Sequence, residues 1–185
     1  MSLTRLALKF AAPAVKLERY RRYLFIGLCD GAGYDVDELL HGIARTVGEF
    51  KPDVIFAPDP DVDSECHADH LNAGRCARQI ACFAPYGGIM AGYEAERAPV
   101  KALAYYMTAR PNTYVASGGY ISRQLDAVFS CHKTQFPDGS ADAKAIALYL
   151  KIRAADFGLR SLKGSAEGFR ALSSLQMHCM PEAGL

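Results

Sequence analysis

The sequence lacks several features that mark membrane, secreted and nucleic-acid-binding proteins. It has no apolar run of about 18 residues or more, so it predicts no transmembrane helix. Its start does not read as a signal peptide, because Arg5 and Lys9 interrupt the apolar residues there. The formal net charge is only +1, which gives no reason to expect a nucleic-acid partner or binding to an acidic membrane surface.

The six cysteines are dispersed and form no Cys-x-x-Cys pair. Dispersed cysteines in a chain without a secretory signal are typical of reduced thiols. The sequence therefore predicts a cytoplasmic protein without a disulfide framework. Internal repeats and low-complexity segments are also absent from the sequence, and residues 1–3 have the form of an expression scar.

The composition is that of an ordinary globular protein. Half of the 185 residues are hydrophobic and 22% are charged, which is enough apolar material for a substantial core. This length predicts a single domain over residues 1–185.

Helical periodicity alternates with short apolar runs along the chain. Residues 35–50 carry apolar side chains at helical spacing, and Asp35 with Glu38 has the form of a capping box. Residues 53–57 are continuously apolar after Asp53, which predicts a strand buried on both faces. The alternation predicts an α/β layered fold with a mostly parallel sheet. The other predicted elements are helices over 15–23, 67–82, 121–132 and 141–156 (ended by Gly158), strands over 23–28 and 100–108, and a strand or short helix over 166–172.

The loop after the strand over 53–57 concentrates titratable groups. In α/β folds ligands bind at the carboxyl ends of the strands, which is where this loop begins. Between Pro58 and His70 it holds five carboxylates and two of the five histidines of the chain, namely Asp59, Asp61, Asp63, Glu65, His67, Asp69 and His70.

His67 and His70 are three residues apart at the start of a predicted helix. That spacing separates them by only about 60° around the helix axis, so both face one way. A metal ligand and a second polar group that act on one substrate carbonyl need such proximity, and Asp69 can orient a neighbouring histidine. The spacing fits two solvated histidines equally well, because catalytic zinc normally takes three protein ligands.

Four segments, in order along the chain, resemble the motifs of one enzyme family. Residues 51–61 followed by 67–75 are similar to a "kPDvv" strand, an acidic segment and then HPDH and "xxxGR", with Ala68 in place of the proline. The other matches are 24–31 with "fLglpDg", 132–135 with H-x-S-Q and 166–169 with "aEaF". Together they resemble the LmbE-like, or PIG-L, family of de-N-acetylases.

The resemblance implies a Rossmann-like three-layer fold with a mostly parallel sheet, and an N-deacetylase that uses Zn²⁺ or another divalent metal. Such an enzyme removes the acetyl group from an N-acetylglucosamine-type sugar or a related small molecule. By position, His70 corresponds to the metal ligand, and His67 to the residue that stabilises the oxyanion or protonates the leaving amine. Asp69 corresponds to the acid that orients its neighbours. His132 and Gln135 correspond to substrate-binding positions.

The sequence departs from the family at one motif. Family members open with a strand that ends in A-H-P-D-D, which supplies two metal ligands and the general base, and no such motif is present here. Residues 57–61 resemble it only faintly. The family's first strands are therefore expected to be missing, and the alternative function is that of a non-catalytic or truncated relic acting as a binding module. An exposed sheet edge would favour association, so a homo-oligomer or poor solubility is expected.

Overall fold

The computed structural model describes residues 24–180. The predictions for residues 1–3, for the helix over 15–23 and for Tyr23 lie outside that range. The described helices are α1 (Val36–Phe50), α2 (Ala68–Phe83), α3 (Gly87–Gly92), α4 (Ile121–Cys131), α5 (Ala141–Arg160) and α6 (Ser174–Cys179). The described strands are β1 (Val54–Pro58), β2 (Ala102–Tyr106), β3 (Thr113–Ala116) and β4 (Ala166–Ser173).

The chain divides into two compact units. Within the described residues, the larger unit comprises residues 26–113 and 168–180, and the smaller unit comprises residues 24–25 and 114–167. The single domain expected over 1–185 stays a prediction. None of the helices within residues 24–180 has the length and apolar character needed to cross a bilayer.

The four strands form one open sheet in the order β1-β2-β4-β3. β1 runs parallel to β2, with Val54 opposite Ala102, whereas β4 runs antiparallel to β2, with Ala102 opposite Ser173. The α/β class is confirmed, and the sheet is mixed. The ambiguous segment over 166–172 is a strand.

Two strand predictions need correction. β1 is not buried on both faces, because Ala57 is buried but the Phe56 side chain on the opposite face is 59% exposed. β1 stands at an end of the sheet order, and the Phe56 ring there meets the ring of Phe169 edge-on at 5.6 Å. Residues 24–28 form no strand, since Gly27 has a φ of +84° and interrupts the extended run.

The helix predictions hold with adjusted ends. α1 is capped by Asp35, whose side chain accepts a hydrogen bond from the backbone N–H of Asp37. α5 continues through Gly158, which was expected to end it. A Cβ atom at Gly158 would lie 2.6 Å from the carbonyl oxygen of Lys163, so this glycine permits a close approach of the chain. The elements that the sequence analysis did not assign are α3, β3 and α6.

The core of the larger unit holds α1 and α2 against β1 and β2. Fully buried side chains there include Ala44 of α1, Ile80 of α2 and Leu103 and Tyr105 of β2. This packing fixes the start of α2, and it therefore fixes the position of the loop over residues 59–67 that leads into the helix.

Candidate active site

The acidic loop, residues 59–67, joins the end of β1 to the start of α2. Gly74 of α2 lets the helix lie directly against this junction, because a Cβ atom there would clash with the carbonyl oxygen of Pro58 and lie 2.8 Å from Cδ of Pro60. The Tyr105 hydroxyl also donates a hydrogen bond to the Gly74 carbonyl at 3.2 Å. The glycine of the "xxxGR" motif is therefore explained by close packing.

A buried ion network holds the first end of the acidic loop. Nε of Arg170 on β4 donates to Oδ2 of Asp59 at 3.0 Å, its Nη2 donates to Oδ1, and both side chains are only 3% exposed. The guanidinium also lies 4.7 Å from the centre of the Tyr105 ring. A carboxylate bound on both oxygens by a buried arginine has little capacity left for a ligand. The faint likeness of residues 57–61 to A-H-P-D-D thus corresponds to a structural ion pair.

Asp61 extends this network toward the surface. It accepts hydrogen bonds from Nη2 of Arg170 at 2.8 Å and from Nη1 of Arg78 at 3.2 Å. Burial alone would raise the pKa of Asp61, but the hydrogen bond from Arg170 and the charge of Arg78 lower it overall. Asp61 is therefore held in its charged form.

The two histidines meet at the second end of the loop. His67 is the N-cap residue of α2 and His70 lies one turn further on. Their rings stack with centroids 4.6 Å apart and planes 21° apart, which confirms that the two share one face. Oδ2 of Asp69 lies 3.7 Å from Nδ1 of His67, close enough for an electrostatic interaction but too far for a hydrogen bond.

Asp69 is tied to the segment that precedes α1. Its two carboxylate oxygens accept the backbone N–H groups of Gly31 and Ala32, at 2.8 and 2.7 Å. Both residues have positive φ, +81° for Gly31 and +59° for Ala32, and the second value is unusual for a residue with a side chain. The N–H of Gly31 is the main cause that lowers the pKa of Asp69 to about 2. Asp69 is therefore a fixed negative charge.

The same segment brings Asp30 to the histidines. Oδ1 of Asp30 lies 3.9 Å from Nε2 of His67, and the Asp30 side chain is 93% exposed. Asp30, His67 and Asp69 each offer a ligand atom, and these atoms all lie within 4.8 Å of one another. Two carboxylates and an imidazole suit a divalent metal of the zinc type, and exposure of the group leaves room for a further ligand. The donor set fits such a metal.

The sequence analysis gave Asp30 no role, although it is the acid of the segment that resembles "fLglpDg". It also missed Glu65. Oε2 of Glu65 lies 2.9 Å from Nδ1 of His70, and Oε1 accepts the backbone N–H of His67 at 2.7 Å. The hydrogen bond with His70, followed by the N–H of His67, lowers the pKa of Glu65. The cue in the sequence was the position of Glu65 five residues before His70, at the turn into a helix.

His132 and Gln135 belong to the smaller unit. His132 is the C-cap residue of α4, and its carbonyl oxygen accepts the backbone N–H of Gln135 at 3.0 Å. Both residues are exposed. The structure thus brings His67, Asp69 and His70 together, while the substrate-binding role of His132 and Gln135 stays a prediction.

The chain is similar in sequence to a curated deacetylase. It is 27% identical, over 151 residues, to the diacetylchitobiose deacetylase of Thermococcus kodakarensis. This similarity agrees with the resemblance of the motifs to those of the LmbE-like deacetylases. No family model matches the sequence. The matched segment covers 79% of this chain but only 55% of the Thermococcus deacetylase, so the chain spans about half the length of that relative.

Solved structures show the same fold. The N,N′-diacetylchitobiose deacetylase of Pyrococcus horikoshii, in complex with its inhibitor MPG, matches with a TM-score of 0.80 and 24% identity over 94% of this chain and 65% of its own. A conserved protein of Thermus thermophilus matches with a TM-score of 0.69 and 24% identity, over 91% of this chain and 72% of its own.

A third match carries a different activity on the same fold. The 4-carboxy-2-hydroxymuconate hydratase of Pseudomonas putida has a TM-score of 0.67 and 14% identity, over 89% of this chain and 70% of its own. The fold of the LmbE-like deacetylases therefore does not determine the reaction, which has to be argued from the side chains of the site.

Proposed function

We propose that this chain is a metal-dependent N-deacetylase that hydrolyses the acetamide of an N-acetylglucosamine-type sugar. The observation that carries the proposal is the convergence of Asp30, His67 and Asp69 within 4.8 Å, beside the stacked ring of His70. The 27% identity to a diacetylchitobiose deacetylase supports this reaction class.

The residues that would hold the metal divide into two sets. The family resemblance assigns His70 as a ligand, and its Nε2 atom is available because Glu65 engages Nδ1. The distances favour a second set made of Asp30, His67 and Asp69. In either set, a divalent metal such as Zn²⁺ would supply Lewis-acid polarisation of the scissile amide carbonyl.

In the set where His70 binds the metal, His67 is the proposed proton donor or oxyanion partner. Its ring is about half exposed and lies between the carboxylates of Asp30 and Asp69, at 3.9 and 3.7 Å. An imidazole N–H in this position can donate a hydrogen bond to a developing oxyanion or a proton to a leaving amine. Asp69, held by two backbone N–H groups, keeps its charge in place during that transfer.

Zinc content and deacetylase activity of the purified chain test the proposal together. We expect one zinc per chain by elemental analysis and release of acetate from N,N′-diacetylchitobiose. Loss of zinc in His70→Ala with retention in Asp30→Asn would select the set that includes His70. The reverse pattern would select Asp30, His67 and Asp69.

The contrary outcome is a chain that holds no metal and releases no acetate. It would reject the deacetylase and favour the alternative of a non-catalytic binding module. Calorimetric titration with N-acetylglucosamine would then show whether binding survives without hydrolysis.

The substrate-binding residues are proposed from the resemblance. His132→Ala and Gln135→Ala should raise KM for the acetylated sugar with little change in kcat, because the groups are assigned to binding and not to chemistry. A fall in kcat at unchanged KM would argue against that assignment.

Cytoplasmic location and self-association are the remaining proposals. The six cysteines all form no disulfide, which supports a reducing compartment.

Val54 and Phe56 of β1 are exposed at one end of the sheet order, which supports association with a second copy. Light scattering on the purified chain would test the second point, and a monomer would count against it.

A further inference from the structure

We infer that Glu65 is a positioning residue that fixes the tautomer of His70 and thereby leaves the Nε2 atom of that ring free to bind metal. The inference rests on the proposed function in which His70 is a ligand. It goes beyond the family resemblance, which assigned the orienting role to Asp69.

The Glu65 carboxylate is itself held in place. Oε1 accepts the backbone N–H of His67 at 2.7 Å, and the Glu65 side chain is only 17% exposed. His67 is the N-cap residue of α2, so its backbone cannot move without unwinding the start of that helix. One oxygen of Glu65 is therefore anchored to the main chain, and the other is presented at a fixed position one turn into α2.

That second oxygen determines which ring nitrogen of His70 carries a proton. Oε2 lies 2.9 Å from Nδ1 of His70. An ionised carboxylate can only accept hydrogen bonds, so Nδ1 must be the donor. In the neutral ring Nε2 then has no proton and keeps its lone pair, which is the form that coordinates a metal.

The ring plane is fixed by a contact in a second direction. The His70 ring stacks on that of His67 at 4.6 Å, while the bond to Glu65 holds one edge of the same ring. The His70 side chain is nevertheless 45% exposed, so the rest of the ring remains accessible. An edge bond and a face contact together define the orientation of the imidazole.

Asp69 is less suited to this role. Both of its oxygens accept backbone N–H groups, from Gly31 and Ala32, and its approach to an imidazole is 3.7 Å, to His67. Glu65 instead makes the short contact with the proposed ligand. Histidines that bind metals commonly donate their second ring N–H to a carboxylate, which sets the tautomer and raises the basicity of the ligand.

The test compares Glu65→Ala and Glu65→Gln with the control Asp63→Ala, which removes an exposed carboxylate from the same loop. In the metal-free chain, ¹⁵N-detected NMR of the imidazoles reports the tautomer, and the His70 signal is identified by its loss in His70→Ala. Zinc affinity is measured by competition with a chelator.

We expect the Nδ1–H form of His70 in the unmutated chain. Glu65→Ala should lose that preference and bind zinc about 10–100-fold more weakly. Glu65→Gln should fall between the unmutated chain and Glu65→Ala in both measurements, because its single amide oxygen can accept from the N–H of His67 or from Nδ1 of His70 but not from both in the same geometry. Asp63→Ala should match the unmutated chain in both measurements.

Two results would overturn the inference. One is a His70 ring protonated at Nε2 in the unmutated chain, a measurement that does not depend on whether any variant folds. The other is a folded Glu65→Ala chain with unchanged tautomer and zinc affinity. An Nδ1–H ring in a chain that binds no zinc would refute the link between Glu65 and metal binding together with the proposed function, while the tautomer itself would stand.

Discussion

The two ends of the acidic loop use the same residue types for opposite purposes. At the first end, Asp59 is bound on both oxygens by Arg170, and both side chains are almost fully buried. At the second end, the carboxylates of Glu65 and Asp69 bind backbone N–H groups or an imidazole and lie next to exposed histidines. The buried ion pair has its hydrogen bonds satisfied within the protein and serves to fix the position of the loop. The carboxylates beside the exposed histidines can instead take part in metal binding or catalysis.

The position of the second end of the loop depends on the first, because only a few residues of the same segment separate them. The network between β4 and the loop determines where the loop starts, and Gly74 determines how closely α2 approaches it. Damage to the first end should therefore appear as lost stability, and damage to the second as lost metal binding or altered pH dependence.

The largest effect is expected for Arg170→Met. This change leaves the buried carboxylate of Asp59 without its cation and should lower the free energy of unfolding by about 3–5 kcal/mol, as when one member of a buried ion pair is removed. Denaturant titration gives the value.

The matched control for Arg170→Met adds Asp59→Asn. Removing both charges should recover much of the lost stability, because the cost comes from the stranded carboxylate. A loss below about 1 kcal/mol in the single variant would mean that the network contributes no more than an exposed pair.

Gly74→Ala should come next. The added methyl group would clash with the backbone of Pro58, so α2 or the loop must shift, at a cost of about 1–3 kcal/mol. Because the shift would separate the two ends of the loop, zinc affinity should fall as well. Ala73→Gly, one position earlier in the helix, controls for helix propensity. Unchanged stability in Gly74→Ala would show that the close approach is not required.

Asp69→Asn should change the pH dependence of stability. The pKa of Asp69 is depressed from 3.8 to about 2 in the folded chain, so its carboxylate stabilises the fold above pH 3.8 and loses that effect as the pH falls toward 2. The metal-free unmutated chain should therefore lose more stability between pH 6 and pH 3 than Asp69→Asn. Parallel stability profiles would contradict the depressed pKa.

The smallest effect is expected for Asp63→Ala, between the two ends. Asp63 is exposed, so its removal should change the free energy of unfolding by no more than about 0.5 kcal/mol. A larger loss would show that the whole loop, and not only its two ends, determines the position of the histidines.

The sequence predicted local features well because they depend on local physics. Helical spacing and the Asp35 cap located α1, and the three-residue spacing of His67 and His70 predicted that the two share one face. The sequence similarity to a deacetylase agrees with the motif resemblance. These inferences needed no knowledge of distant contacts.

What the sequence could not predict depends on long-range pairing. Arg170 lies 111 residues from Asp59, and Gly31 lies 38 residues from Asp69, so no periodicity links either pair. The exposed face of β1 was missed because an apolar run does not reveal which strand stands at an end of the sheet. Gly158 was predicted to end the helix, but the structure shows that a glycine is needed there because the carbonyl oxygen of Lys163 approaches it closely.

The backbone N–H groups of Gly31 and Ala32, which donate to Asp69, allow the position of Asp69 to be followed by hydrogen exchange. Hydrogen exchange at Gly31 and Ala32 is slowed only while their bonds to Asp69 persist. A ligand that draws Asp69 away would release these amides, and a ligand that tightens the cluster would protect them further. Deuterium uptake at two neighbouring positions would thus distinguish the two proposed sets of metal ligands without an activity assay, since only one of them includes Asp69.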